Sequence, residues 1–78
     1  MNEDIIALYQ EALGLLRFRN PNLTFAGTFD YNSDGSVCYE LQCIGEHGIK
    51  KHKFKVMEDT TKALKYFIKT SQNLFNLV

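Results

Sequence analysis

The fold is decided by residues 37–57, which read VCYELQCIGEHGIKKHKFKVM. Two stretches that alternate apolar and polar residues flank a turn at residues 45–48, a pattern typical of a β-hairpin. The pattern predicts strands over residues 37–44 and 49–57. The inward side chains of these strands are predicted to be Val37, Tyr39, Leu41, Cys43, Phe54 and Val56.

The same alternation predicts the pairing of the hairpin. Setting Tyr39 opposite Phe54 joins the two inward faces and also sets Glu40 opposite Lys53, so that one register satisfies both packing and charge. The outward face of the second strand then carries a lysine row of Lys51, Lys53 and Lys55.

A further alternating stretch, residues 23–31, predicts the strand that precedes this hairpin. Its inward side chains are predicted to be Leu23, Phe25, Phe29 and Tyr31. Because both neighbouring strands place odd-numbered residues inward, paired residue numbers must add to an even number. A three-residue loop, Ser33-Asp34-Gly35, with its glycine in a left-handed conformation meets this condition and sets Phe29 opposite Tyr39.

Helical periodicity flanks the three strands. Residues 3–17 are predicted to form one helix, capped by Asn2 and closed by Asn20-Pro21, and residues 60–76 form a second helix capped by Asp59. The inward side of the second helix is predicted to hold Ala63, Leu64, Phe67, Ile68, Ser71, Leu74 and Phe75. We therefore expect a single domain over residues 1–78 of the α+β class: an α-β-β-β-α order with two helices packed on one face of a three-stranded antiparallel meander.

Charge is distributed unevenly along a chain whose net charge is zero. Residues 1–46 carry a net charge of −5, and residues 47–78, which hold all seven lysines, carry +5. Such asymmetry is typical of a chain with an anionic partner for its basic part. The alternative is that folding brings the two parts together and the charges offset each other locally.

The sequence indicates a reduced compartment and no membrane. No secretory signal is recognisable, and no stretch approaches the roughly 20 apolar residues that span a bilayer. Cys38 and Cys43 are five apart on one strand and therefore point to opposite faces, so we expect free thiols and a cytoplasmic protein.

No residue pattern indicates catalysis. The two cysteines and two histidines lack the paired spacing of a zinc site, and no glycine-rich phosphate loop follows a strand. We expect a chain that is not an enzyme and that has no cofactor and no metal.

Three surfaces are candidates for binding. The open sheet face presents the lysine row together with Glu40, and the edge of the first strand offers pairing to a second copy or a partner strand. A lysine stripe runs along the second helix at Lys62, Lys65 and Lys69. The alternative for both lysine sets is an ordinary solvated face.

The order of elements resembles the double-stranded RNA-binding domain. The segment Thr61-Lys62-Ala63-Leu64-Lys65 is similar to the lysine cluster at the start of that family's last helix, which implies phosphate contacts by Lys62 and Lys65. The sequence thus supports two functions. The first is a protein-binding module, a small regulator or inhibitor that docks on a larger protein and whose size suits a phage or mobile element. The alternative is nucleic-acid binding through the lysine-rich second half.

Overall fold

The computed structural model describes residues 3–78. Its elements follow one another as α1 (Glu3–Arg19), β1 (Thr24–Tyr31), β2 (Val37–Gly45), β3 (Gly48–Lys55) and α2 (Thr60–Phe75). The three strands form one antiparallel sheet in the order β1-β2-β3. The predicted α-β-β-β-α fold is therefore confirmed.

The register of β1 and β2 is the predicted one. Phe29 lies opposite Tyr39, and the loop between the strands has the expected three residues. Asn32 N–H donates to the Ser36 carbonyl at 2.9 Å and closes this loop, while Gly35 adopts a φ of 88°. Only glycine reaches that region without strain, which is why the loop can keep both inward faces on one side.

The hairpin of β2 and β3 is also confirmed. Tyr39 lies opposite Phe54 and Glu40 opposite Lys53. Gly48 follows the turn with a φ of 111°, again a conformation that suits glycine. The open face of the sheet therefore holds Lys51, Lys53 and Lys55, as the alternation requires, whereas Lys50 lies opposite Cys43 on the helix side.

Aromatic rings build the core between the sheet and the helices. The Tyr9 ring of α1 lies 5.6 Å from the Phe29 ring, 4.8 Å from the Tyr39 ring and 5.3 Å from the Phe67 ring of α2. The Phe54 ring lies 4.9 Å from the Phe67 ring on the other side. The Tyr9–Tyr39 pair is tilted and the other three are edge-to-face; aromatic contacts of these kinds add about 0.5–1.5 kcal/mol each to the burial of the rings.

The two helices run side by side in the same direction. Tyr9 contacts Phe67 in the middle of the helices, and Asn20 bonds to Val78 near their ends. The separation from Tyr9 to Asn20 equals that from Phe67 to Val78, as expected for two helices that run in parallel. Of the two helices, α1 lies above β1, where Tyr9 meets Phe29, and α2 lies above β3, where Phe67 meets Phe54.

Helix ends follow the predicted signals with small shifts. The Asp59 carboxylate accepts a hydrogen bond from Lys62 N–H at 3.1 Å and caps α2 as predicted. The predicted cap Asn2 lies outside the described residues. Helix α1 continues to Arg19, beyond the predicted end at residue 17, because the helical pattern of bonds persists up to Asn20, whose N–H still bonds to the Leu16 carbonyl at 3.0 Å.

Two side chains predicted to be inward are exposed. Tyr31 is 69% exposed although it lies on the inward side of β1, and Leu74 is 46% exposed although it lies on the inward side of α2. Tyr31 is the last residue of β1, and Leu74 lies in the last turn of α2. Periodicity gives the direction of a side chain, but at these ends the facing element provides no apolar surface to cover it.

Candidate functional site

The charge asymmetry of the sequence becomes a separation in space. Helix α2 packs above β3 through Phe67 and Phe54, whereas α1 packs above β1. The elements that carry the seven lysines are thus neighbours on one side of the molecule, which we call the lysine-rich side. Local neutralisation is limited, because the one ion pair within residues 3–78 joins Lys53 to Asp30.

The lysine row Lys51, Lys53 and Lys55 lies exposed on the open face of the sheet. The Lys53 ammonium lies 3.8 Å from the Asp30 carboxylate, reaching diagonally past β2. Its register partner Glu40 instead accepts a hydrogen bond from Gln42 at 3.1 Å. The predicted placement of Glu40 opposite Lys53 is correct, but their charges do not pair, because a long lysine side chain also reaches the diagonal neighbour.

The lysine stripe Lys62, Lys65 and Lys69 is exposed on α2, away from the sheet. The structure therefore does not merge the two predicted lysine sets into one site. Tyr66, which lies between Lys62 and Lys69 on the helix surface, turns toward β3, and its ring lies 6.0 Å from that of Phe54.

Exposed apolar side chains are the feature that sequence reasoning missed. Tyr66 is 47% exposed beside β3, and Phe18 is 83% exposed near the end of α1. The signal for Tyr66 was its place between two outward lysines, at a position that helical periodicity assigns to neither face. For Phe18 the signal was its place between two arginines, beyond the predicted helix end.

The outer edge of β3 presents unpaired backbone groups. Val56 N–H donates to the Val37 carbonyl at 3.1 Å, which identifies the phase of the β2–β3 ladder. Hydrogen-bonded and non-hydrogen-bonded pairs alternate along an antiparallel ladder. Every second residue of β3, counted back from the neighbour of Val56, therefore points its backbone N–H and C=O groups away from β2. These groups belong to Ile49, Lys51, Lys53 and Lys55. Within residues 3–78 no further strand covers this edge.

The outer edge of β1 differs from that of β3. The Arg17 guanidinium donates to the Phe25 carbonyl at 2.9 Å and occupies one acceptor of this edge. By the same alternation, the backbone groups of Gly27, Phe29 and Tyr31 also point outward along this edge. A second copy that pairs with β1, as the sequence suggests, has only this shorter stretch available.

The end of the molecule that would correspond to the RNA-contacting end of a double-stranded RNA-binding domain is acidic. The loop after β1, the start of α1 and the start of α2 meet there around a shared depression whose lining includes Ile5, Gly35 and Glu58 together with Lys55, the lysine of this end of the sheet. The acids at or next to this end are Glu3, Asp4, Asp34, Glu58 and Asp59. The hydrogen bonds from Ser36 to the Asp34 carboxylate, at 2.6 and 2.9 Å, lower the pKa of Asp34 and keep it ionised.

The cysteines lie where the alternation places them. Cys43 is buried beneath the helices, and burial raises the pKa of its thiol, an effect that the nearby Lys50 ammonium partly opposes. Cys38 lies on the open face between Asp30 and Lys55, with its sulfur 3.6 Å from the Asn32 amide nitrogen. Both are free thiols, and burial leaves Cys43 a packing role.

His52 lies on the inward side of β3, half-buried, with its ring 4.7 Å from that of Phe54. Among residues 3–78, no three side chains of His, Cys, Asp or Glu group together as metal ligands would. In the same part of the chain, neither helix has the length and apolar character needed to cross a bilayer.

Comparison with known proteins gives no relative: no protein-family model, no curated protein and no solved structure matches this chain significantly. The likeness to the double-stranded RNA-binding domain therefore rests on the order and arrangement of the elements.

Proposed function

We propose that this chain is a non-enzymatic protein-binding module that docks on an acidic segment of a larger protein and thereby regulates or inhibits it in the cytoplasm. The observation that carries the proposal is the exposed lysine row Lys51, Lys53 and Lys55 on the open face of the sheet, at the lysine-rich side of the molecule. In the described residues, Lys53 alone among them has an acidic partner. The other lysine charges are available to a partner.

The row on β3 suits a protein partner better than isolated charges would. Lys51, Lys53 and Lys55 are two apart on one strand and therefore project in parallel from a rigid sheet. A single exposed ion pair contributes only about 0–1 kcal/mol, but a set of charges of one sign accelerates encounter and selects the partner by its charge. Affinity should therefore fall steeply with salt.

Nucleic-acid binding is the second candidate function, and the stripe Lys62, Lys65 and Lys69 is the observation that favours it. A phosphate backbone could contact this stripe. The acidic end formed by Glu3, Asp34 and Asp59 opposes it, because a duplex that bridges both helices would bring its phosphates against carboxylates.

Two charge-reversal variants separate the functions. One changes Lys51, Lys53 and Lys55 to glutamate, and the other changes Lys62, Lys65 and Lys69 to glutamate, so that both variants have the same net charge. Fluorescence anisotropy would measure the binding of a labelled peptide of mixed Glu and Ser. A labelled RNA duplex of about 24 base pairs, longer than the roughly 16 that a double-stranded RNA-binding domain spans, would be measured in parallel.

The proposal expects the wild type to bind the acidic peptide at low salt. The β3 variant should lose about tenfold in affinity, equivalent to about 1.4 kcal/mol, and the α2 variant should lose much less. Equal losses in both variants would mean that net charge alone governs binding. Tight, salt-sensitive binding of the RNA duplex that is lost only in the α2 variant would establish the second function instead.

A further inference from the structure

We propose that the partner segment adds to the sheet as a fourth, antiparallel strand along β3, and that acidic residues alternate with apolar residues along it. This inference rests on the proposed function and specifies how the acidic segment is held. Strand addition takes its affinity from backbone hydrogen bonds and its specificity from alternate side chains. The β3 edge supplies both.

The backbone of β3 provides the hydrogen-bonding half of the site. The ladder phase set by Val56 and Val37 directs the edge groups of Lys51, Lys53 and Lys55 outward. The residues whose backbone bonds the partner are thus the same residues whose side chains form the lysine row. An antiparallel strand would place its own hydrogen-bonding residues directly opposite them. Acidic side chains at those positions would meet the lysines across the strand pair.

The side of the edge that faces α2 offers an apolar contact at the Tyr66 ring, next to the Lys50 and His52 side chains of β3. Tyr66, Thr70 and Leu74 are four residues apart and form one row along α2. The contact of the Tyr66 ring with that of Phe54, at 6.0 Å, places the Tyr66 end of this row beside β3. Tyr66 and Leu74 are about half exposed. The residues that alternate with the acids in an added strand would point toward this row, so apolar side chains there would be covered.

Charge determines which strand is accepted. A second copy that paired through its own β3 would bring two lysine rows together, and such repulsion is how natural sheets prevent edge-to-edge association. An acidic strand removes the repulsion and replaces it with attraction. The β1 edge offers no comparable selection, since it carries the single charge of Asp30 and its Phe25 carbonyl is already bonded to Arg17.

Peptides of about the length of β3, which has eight residues, test the inference on the unaltered protein. One peptide alternates Asp and Val, and a block isomer joins all its Asp residues to all its Val residues. Because composition and charge are identical, they differ only in alternation. We expect the alternating peptide to bind at least about tenfold more tightly, a difference of about 1.4 kcal/mol. Equal affinities would overturn strand addition while leaving acidic docking intact.

Backbone methylation tests the hydrogen bonds. Methylating the Asp nitrogens of the alternating peptide removes the donors that would face β3, whereas methylating the Val nitrogens alters donors that face solvent. We expect the first peptide to lose binding and the second to retain it. Insensitivity to both methylations would overturn the inference. If neither the alternating nor the block peptide binds, strand addition is also wrong. Binding of the Glu and Ser peptide then tests acidic docking, the proposed function, independently of strand addition.

The apolar half is tested by a double variant, Tyr66→Ser with Leu74→Ser, against Phe18→Ser. Phe18 is a matched control because it is more exposed than either residue and lies on α1. We expect the double variant to weaken the alternating peptide several-fold and the control to have no effect. Equal binding by all three proteins would overturn the apolar contact. Circular dichroism would verify that each variant is folded.

Discussion

The phenol of Tyr39 lies in the space that a side chain at Gly27 would occupy: a Cβ added to Gly27 would overlap the Tyr39 hydroxyl and the ring carbon that bears it. Both residues face the helices, Gly27 from the edge strand β1 and Tyr39 from the central strand β2. Glycine here lets a large aromatic ring lean over the neighbouring strand and reach Tyr9 and Phe29.

Gly27→Ala should therefore destabilise the protein. The methyl group requires the Tyr39 ring to move, and overpacking of a filled core costs about 1–3 kcal/mol. Urea unfolding followed by circular dichroism measures the change. Gly14→Ala is the control, because Gly14 lies on the exposed face of α1 with nothing within 4 Å of the added Cβ. It should stabilise by up to about 1 kcal/mol. Equal effects at the two positions would contradict this packing.

Ser71→Ala should stabilise the protein. The Ser71 side chain is fully buried, and among residues 3–78 its hydroxyl has no hydrogen-bond partner. Removing an unsatisfied buried hydroxyl, together with the better helix propensity of alanine, should raise the free energy of unfolding by about 1 kcal/mol. Thermal and urea unfolding measure it. A loss of stability would show that the hydroxyl has a partner in solution.

Asn20→Ala should loosen the ends of both helices. The Asn20 amide donates to the Leu16 carbonyl at 3.0 Å, and its oxygen accepts from Val78 N–H at 3.0 Å. Losing these two side-chain hydrogen bonds, at about 0.5–1.5 kcal/mol each, should cost about 1–3 kcal/mol. Hydrogen exchange should show faster exchange at Val78. Asn73→Ala, at an exposed position of α2, is the control and should leave both properties nearly unchanged.

Alkylation should distinguish the two thiols. Cys43 is buried and its pKa is raised, so at neutral pH it stays protonated and shielded, whereas Cys38 is half-buried on the open face. Since the thiolate is the reactive form, native protein treated with iodoacetamide should be modified at Cys38 first, and Cys43 should react only on unfolding. Peptide mass spectrometry measures this order. Rapid modification of Cys43 in native protein would contradict its burial.

The fold was predictable because the strands carry redundant signals. Because β1 and β2 both place odd-numbered residues inward, Phe29 can face Tyr39 only across a three-residue loop. Gly35 supplies the left-handed residue that such a loop needs. One register then matched both the aromatic pairs and the placement of Glu40 opposite Lys53. Each strand limited the choices for the next.

Features that depend on the extent of one element over another were not predictable. Alternation gives the side on which Tyr31 and Leu74 lie, but not whether a neighbour reaches far enough to cover them. The ion pair of Lys53 with Asp30 depends on the reach of a flexible side chain. The placement of α2 above β3, which makes the two lysine-bearing elements neighbours without merging their lysine sets, follows from the parallel packing of the helices and has no signal in local periodicity.

The most direct test of the lysine-rich side as the docking site is a two-dimensional NMR titration of the labelled protein with the alternating Asp and Val peptide. The largest shifts are expected at the backbone amides of residues 48–55, smaller ones along residues 66–74, and none of comparable size in the variant with glutamate at Lys51, Lys53 and Lys55. Shifts confined to residues 3–19 or to the loop at residues 32–36, with β3 unaffected, would contradict the account.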